Sequence, residues 1–150
     1  MVDKFLSTSE RMTSSSLILA FGSQEVLSPI SYMSQFLPPQ YALEQHLDSE
    51  VGELPVILDS SPHNIVLVIS SVDYPVKPER DILLHLKKRQ DQYSHLPVIG
   101  ISNSSNYIEM LRHTPLSRTN PGLYWFVNTP NFDHIGLSEL VLKALSEHSL

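Results

Sequence analysis

Serine occupies most of the places where chemistry could sit in this chain. Ser70 and Ser71 follow the apolar run 65–69 (IVLVI), with Asp73 and Pro75 just beyond, and Ser102 closes a second apolar run, LPVIGI, ahead of Asn103, Ser104 and Ser105. Such hydroxyls can hold an anion together with loop amides, or they can satisfy backbone groups where a strand stops. A nucleophilic Ser102 would need a base within hydrogen-bond reach and an oxyanion hole, usually on a glycine-flanked elbow. The segment GISNS lacks the second glycine, and no histidine is tied to it by local spacing. The seven histidines (46, 63, 85, 95, 113, 134 and 148) stand singly, without an HxxxH or HxH pair, so their spacing offers no zinc site. His63 and His134 are the two that could approach the strand ends, against the plainer roles of surface or loop. With no cysteine, disulfides, thiolate metal sites and cysteine nucleophiles are all excluded. These residues predict a protein that is not an enzyme and carries no cofactor and no metal.

The elements that must position these residues can be read from the apolar pattern. The run 65–69 has no polar alternation and is mostly β-branched, the mark of a strand buried on both faces in a parallel sheet. In open parallel sheets, ligands collect at the carboxyl ends of strands, which is where Ser70 and Ser71 fall. A first strand is predicted over 16–21 (SLILAF), with Gly22, Ser23 and Gln24 as its exit loop. A helix follows to about Leu37, with Val26, Ile30, Met33 and Leu37 on one face. Ser28 and Pro29 are a candidate cap and first helical position for it. A partly exposed strand is predicted over 41–47, with Tyr41, Leu43 and Gln45 on one face and Ala42, Glu44 and His46 on the other. Residues 48–61 should hold a short or irregular helix carrying Leu54 and Leu58.

Residues 77–93 form the clearest predicted helix. Pro78 suits its first turn, Glu79 and Asp81 the positive end of its dipole, and Lys87 to Arg89 the negative end. Then come a strand at 96–101, a small helix at 106–113, a strand at 123–127 (LYWFV) and a final helix at 135–147. Five strands alternating with five helices give an α/β fold, a doubly wound five-stranded parallel sheet in three α/β/α layers. Residues 1–15 read as a loose leader or a short docking helix, and 16–150 as one domain. A chain of 150 residues can bury roughly 70% of its unfolded surface. Its net charge of −6 argues against a nucleic-acid surface. No apolar run approaches the ~20 residues that span a bilayer. The cytoplasm is the default compartment, since the N-terminus lacks the apolar core of a signal peptide.

The order and loop placement of 16–150 resemble the receiver domain of two-component response regulators, a flavodoxin-like (βα)5 fold. LPVIGIS is similar to the family's fourth strand ending in a hydroxyl, here Ser102. LYWFVNTPNF is similar to its aromatic–apolar–apolar–lysine–proline segment, and the helix from Pro78 fits its long third helix. The resemblance implies an acid pair after the first strand to hold Mg²⁺, an aspartate acceptor ending the third, and a lysine ending the fifth. This chain departs from each. Phe21, Gly22 and Ser23 stand at the acid pair, Ile69, Ser70 or Ser71 at the acceptor, and Asn128 or Thr129 at the lysine. Asp73 is the nearest substitute acceptor, although a turn residue before Pro75 is the plainer reading.

The implied protein is a degenerate pseudo-receiver that signals by protein–protein contact without phosphorylation. Trp125 and Phe126 take the place of the family's switch aromatic, one facing the core and the other a groove between the last two helices. Thr129-Pro130 resembles the family's lysine–proline bond, which is usually cis. The fourth helix, fifth strand and fifth helix are the face receivers use for partners and homodimers, which nominates Tyr107, Met110, Leu111, Tyr124 and Trp125. Two other readings stay open. One is an anion or small-molecule sensor, or a small enzyme, using the serine-rich loops 22–24, 70–73 and 102–105. The other is the N-terminal input domain of a transcription regulator.

Overall fold

The computed structural model describes residues 16–47, 50, 53, 56–57, 64–71, 96–102, 104–113, 122–127 and 133–147. Five strands form one sheet: β1 (Ser16–Gly22), β2 (Tyr41–Leu47), β3 (Asn64–Ser71), β4 (Val98–Ser102) and β5 (Leu123–Val127). All neighbours are parallel, and the order is β2-β1-β3-β4-β5. This is an α/β fold with the strand order of flavodoxin-like sheets. The described helices are α1 (Gln24–Met33), continued by a 3₁₀ turn at Ser34–Phe36, α2 (Ser105–Arg112) and α3 (His134–Glu147).

The apolar runs lack alternation because the sheet is covered on both sides. In β1, Ile18 and Ala20 pack with Leu27, Ile30 and Met33 of α1 and with Leu137, Val141, Ala144 and Leu145 of α3. The intervening Leu17, Leu19 and Phe21 pack on the opposite side with Val68, Leu96 and Val98. Strand side chains alternate between faces, so one continuous apolar strand feeds two cores. Between Leu17 and Ile18 the register of β3 jumps from Ile65 to Leu67. Val66 is therefore a β-bulge, and Leu67 and Ile69 still reach the α1/α3 core while Ile65 and Val68 reach the other.

Two elements differ from the sequence-based expectation. The exit loop of β1 is one residue, Ser23, because Gly22 still pairs in the sheet and α1 begins at Gln24. Pro29 then lies inside α1, not at its first position, and Ser28 is no cap. The first turn is set by the Ser23 carbonyl, which accepts from the amides of Val26 (3.0 Å) and Leu27 (2.9 Å). Burial of Leu27 and Ile30 on either side of Pro29 holds the helix through a residue that offers no N–H. Leu27, not Val26, leads the buried face, and Leu37 lies beyond the 3₁₀ turn, partly buried against the core. The predicted leader 1–15 and the helix 77–93 lie outside the described residues; of the irregular helix predicted over 48–61, Val56 and Ile57 are helical, while Leu54 and Leu58 lie outside the described residues.

A strand-end row as candidate functional site

One register row crosses all five strands near their carboxyl ends. His46 pairs with Phe21, Phe21 with Ser70, Ser70 with Gly100, and Gly100 with Trp125. Phe21, Val68 and Val98 mark the side this row faces, and alternation puts Ser70, Gly100, Ser102 and Trp125 on it as well. Phe21 is fully buried and its ring stacks on that of His46, with centroids 5.2 Å apart and planes 21° from parallel. His46 in turn meets Glu44 through Nε2 (2.6 Å) and Glu50 through Nδ1 (3.7 Å). The Glu50 carboxylate also accepts the Leu47 amide at 2.9 Å, so it closes the end of β2.

The hydroxyls at the strand ends are engaged locally. Ser70 is fully buried and donates to the Ser71 carbonyl at 3.1 Å. Ser102, 4% exposed, accepts the Ser104 amide at 3.1 Å, and the Ser104 hydroxyl accepts the Tyr107 amide at 3.1 Å as the N-cap of α2. These two serines thus start α2 in relay, each satisfying an amide that the helix leaves without an internal partner. Gly22 is set by close packing. A Cβ there would stand 3.2 Å from Cβ and Cγ1 of Val26 and 3.6 Å from Oγ of Ser71. A bulkier residue at 22 would therefore press on the first turn of α1.

The sequence named three candidates for the acceptor position, and β3 ends at the last of them, Ser71, which is half-buried. Gly22 ends β1 and Ser102 ends β4. Ser23 follows β1 and is exposed. Asp73, Asn128, Thr129 and the Thr129–Pro130 bond lie outside the described residues, as does His63. His134 heads α3, and its ring meets Tyr32 of α1 edge-on at 4.7 Å. Among the described residues no group of three or more His, Asp or Glu side chains could hold a metal ion.

Of the five interface candidates, Tyr124 and Trp125 lie on opposite sides of β5 and the other three lie on α2. Tyr124 and Phe126 pack on the α1/α3 core, while Trp125 shares the side of Leu123. Phe126 is thus the inward member of the Trp125/Phe126 pair. The Tyr124 hydroxyl donates to the Glu147 carboxylate at the end of α3. Burial, then the hydrogen bond and the charge of Glu147, push the Tyr124 phenol up to about 12. On α2, Ile108 points inward and is 1% exposed, Met110 is 51% exposed, and Tyr107 and Leu111 are half-buried. Residue types alone did not reveal the row or the Phe21–His46 stack. The hint available was the pairing of 41–47 beside 16–22, which puts an aromatic and an imidazole at matching distances from their strand starts.

No protein-family model matches the chain, and no curated protein matches it. Among the described residues no helix is long and apolar enough to cross a membrane.

Proposed function

We propose that this chain is a receiver-like (βα)5 module, doubly wound and three-layered, that works by protein contact without aspartyl phosphorylation. One observation carries the reading: the strand ends that would need carboxylates present a buried Phe21, a close-packed Gly22, and Ser70 and Ser71. Mg²⁺ is a hard cation that takes carboxylate oxygens, and a phosphoryl group needs an acceptor and a compensating cation. Phe21 stacked on His46 supplies neither, and the Ser70 and Ser102 hydroxyls are occupied by backbone partners. What remains is a strand-end platform flanked by α2, β5 and α3. On α2, Met110 is an exposed apolar residue and Tyr107 and Leu111 are half-buried, as is Trp125 of β5. Apolar and aromatic side chains of this kind suit a protein partner.

The test is incubation with a small phosphodonor and Mg²⁺, followed by intact-mass measurement, beside a pull-down comparing the unaltered chain with Met110→Ala and Trp125→Ala. No mass gain together with lost partner capture is the expected result. A labile gain of one phosphoryl group, or capture untouched by both variants, overturns the reading.

A further inference from the structure

Three aromatic rings form a row on the outside of the molecule where α1 meets α3. Tyr32 of α1 meets Phe36 of the 3₁₀ turn edge-on with centroids 5.9 Å apart, and His134 at the head of α3 at 4.7 Å. These contacts leave the rings open: Tyr32 is 51% exposed and Phe36 46%. Ile135, beside His134 in the chain, is exposed as well. The core beneath does not use the pair, because Leu27, Ile30 and Met33 supply the buried face of α1 and the 3₁₀ turn buries nothing. Apolar side chains scattered singly over a surface are ordinary, whereas large ones in contact with each other mark a docking site.

The course of the chain points to what covers this row. Where β1 begins, the Ser16 amide donates to the Gln40 carbonyl at 3.1 Å, and Gln40 follows Phe36 by four residues. Four residues span at most ~14 Å, and neighbouring strands lie ~5 Å apart, so segment 1–15 leaves the domain within about 20 Å of Phe36. Its largest apolar side chains, Phe5 and Leu6, stand together ten residues before Ser16. Ten residues of chain average roughly 20 Å end to end and reach ~35 Å at full extension. A tether whose average length matches the span gives its anchor the highest effective concentration at the site. The segment carries two bases, Lys4 and Arg11, against two acids, Asp3 and Glu10, so the net charge of −6 does not repel it. We infer that Phe5 and Leu6 dock on the Tyr32–Phe36–His134 row of their own chain, the Phe5 ring adding to the edge-on aromatic contacts already there. The segment is then a strap that runs from the start of β1 to the junction of α1 and α3. It shares no residue with Tyr107, Met110, Leu111, Tyr124 and Trp125, so the strap occupies one face while a protein partner uses another.

Disulfide trapping reads the contact, since the chain has no cysteine of its own. Ser7→Cys and Gln35→Cys together keep every ring in place, because Ser7 follows Leu6 and the exposed Gln35 precedes Phe36. In the full chain under mild oxidation this pair should close within one molecule, seen by peptide mapping of the monomer band. Adding Phe5→Ser should slow closure about tenfold, the loss expected for one aromatic anchor. Phe36→Ser, which leaves the buried face of α1 intact, should slow it likewise. Equal rates with and without Phe5 mean collision along the tether alone and overturn the proposal. So does a disulfide between two molecules, which makes a second copy the occupant, or the absence of any disulfide, which leaves the row to a different protein.

Discussion

Replacing Pro29 by alanine separates the helix seen in the structure from the one its sequence suggests. Pro29 is the sixth residue of α1, so its ring opposes the Glu25 carbonyl and it donates nothing to the ladder. Relative to alanine, an interior proline costs a helix about 3 kcal/mol. Part of this is recovered on unfolding, because proline restricts the unfolded chain and its loss there costs roughly 0.4–1 kcal/mol. Glu25 is exposed, so water satisfies its carbonyl and trims the penalty further. The net expectation for Pro29→Ala is about 2 kcal/mol of added stability. At about 2–4 °C per kcal/mol for a domain of this size, Tm should rise by roughly 4–8 °C. Calorimetry, with urea unfolding to check that the slope is unchanged, reads the effect. If Ser28 and Pro29 instead opened the helix, proline would sit where its missing N–H is harmless, and alanine would lower Tm by a degree or more. A fall, or no change, refutes the placement of Pro29 inside α1.

Two further outcomes follow from side chains at the ends of α3. The Asp133 carboxylate accepts the Gly136 amide at 2.8 Å, and its backbone carbonyl accepts that of Leu137 at 3.0 Å. Asp133→Ala should therefore lose about 1 kcal/mol of N-cap energy, seen as a Tm lower by about 2–4 °C. The phenol of Tyr124 titrates near 12 in the folded chain against about 10 when unfolded. Its contribution is complete below pH 10 and is lost as pH rises toward 12, because the unfolded state releases the proton first. Tyr124→Phe should flatten the fall in urea-measured stability over that window, and an unchanged slope would remove the Tyr124 phenol as its cause.

Much of the framework was legible in the sequence, for identifiable reasons. Residues 41–47 and 123–127 were bounded as they stand in β2 and β5, since a proline pair precedes the first and a glycine and a polar exit flank the second. Burial of the central run was also legible. Its facing was not, because a strand covered on both sides gives no alternation, and the bulge at Val66 leaves no mark in a string of five apolar residues. Pro29 misled because local preference favours proline at a helix start, while burial of Leu27 and Ile30 overrides that preference. For the strand ends, the sequence located the serines and allowed their hydroxyls either an anion or a backbone group, and backbone groups are what Ser70 and Ser102 meet. Whether a hydroxyl faces an anion or a neighbouring amide depends on the turn after the strand, and the Ser102–Ser104–Tyr107 relay becomes visible only once α2 is placed.

The bulge at Val66 also bears on how this sheet can change length. Ile65 and Leu67 hold the partners they would hold if Val66 were absent, so the extra residue acts as a spacer. Upstream and downstream, every side chain keeps its side of the sheet. A one-residue insertion or deletion in a buried strand ordinarily sends all later residues to the wrong face. Here the slack is confined to a single half-buried valine. Near its start, the central strand of the sheet thus has a point where the chain tolerates a change of count, while both cores stay in phase.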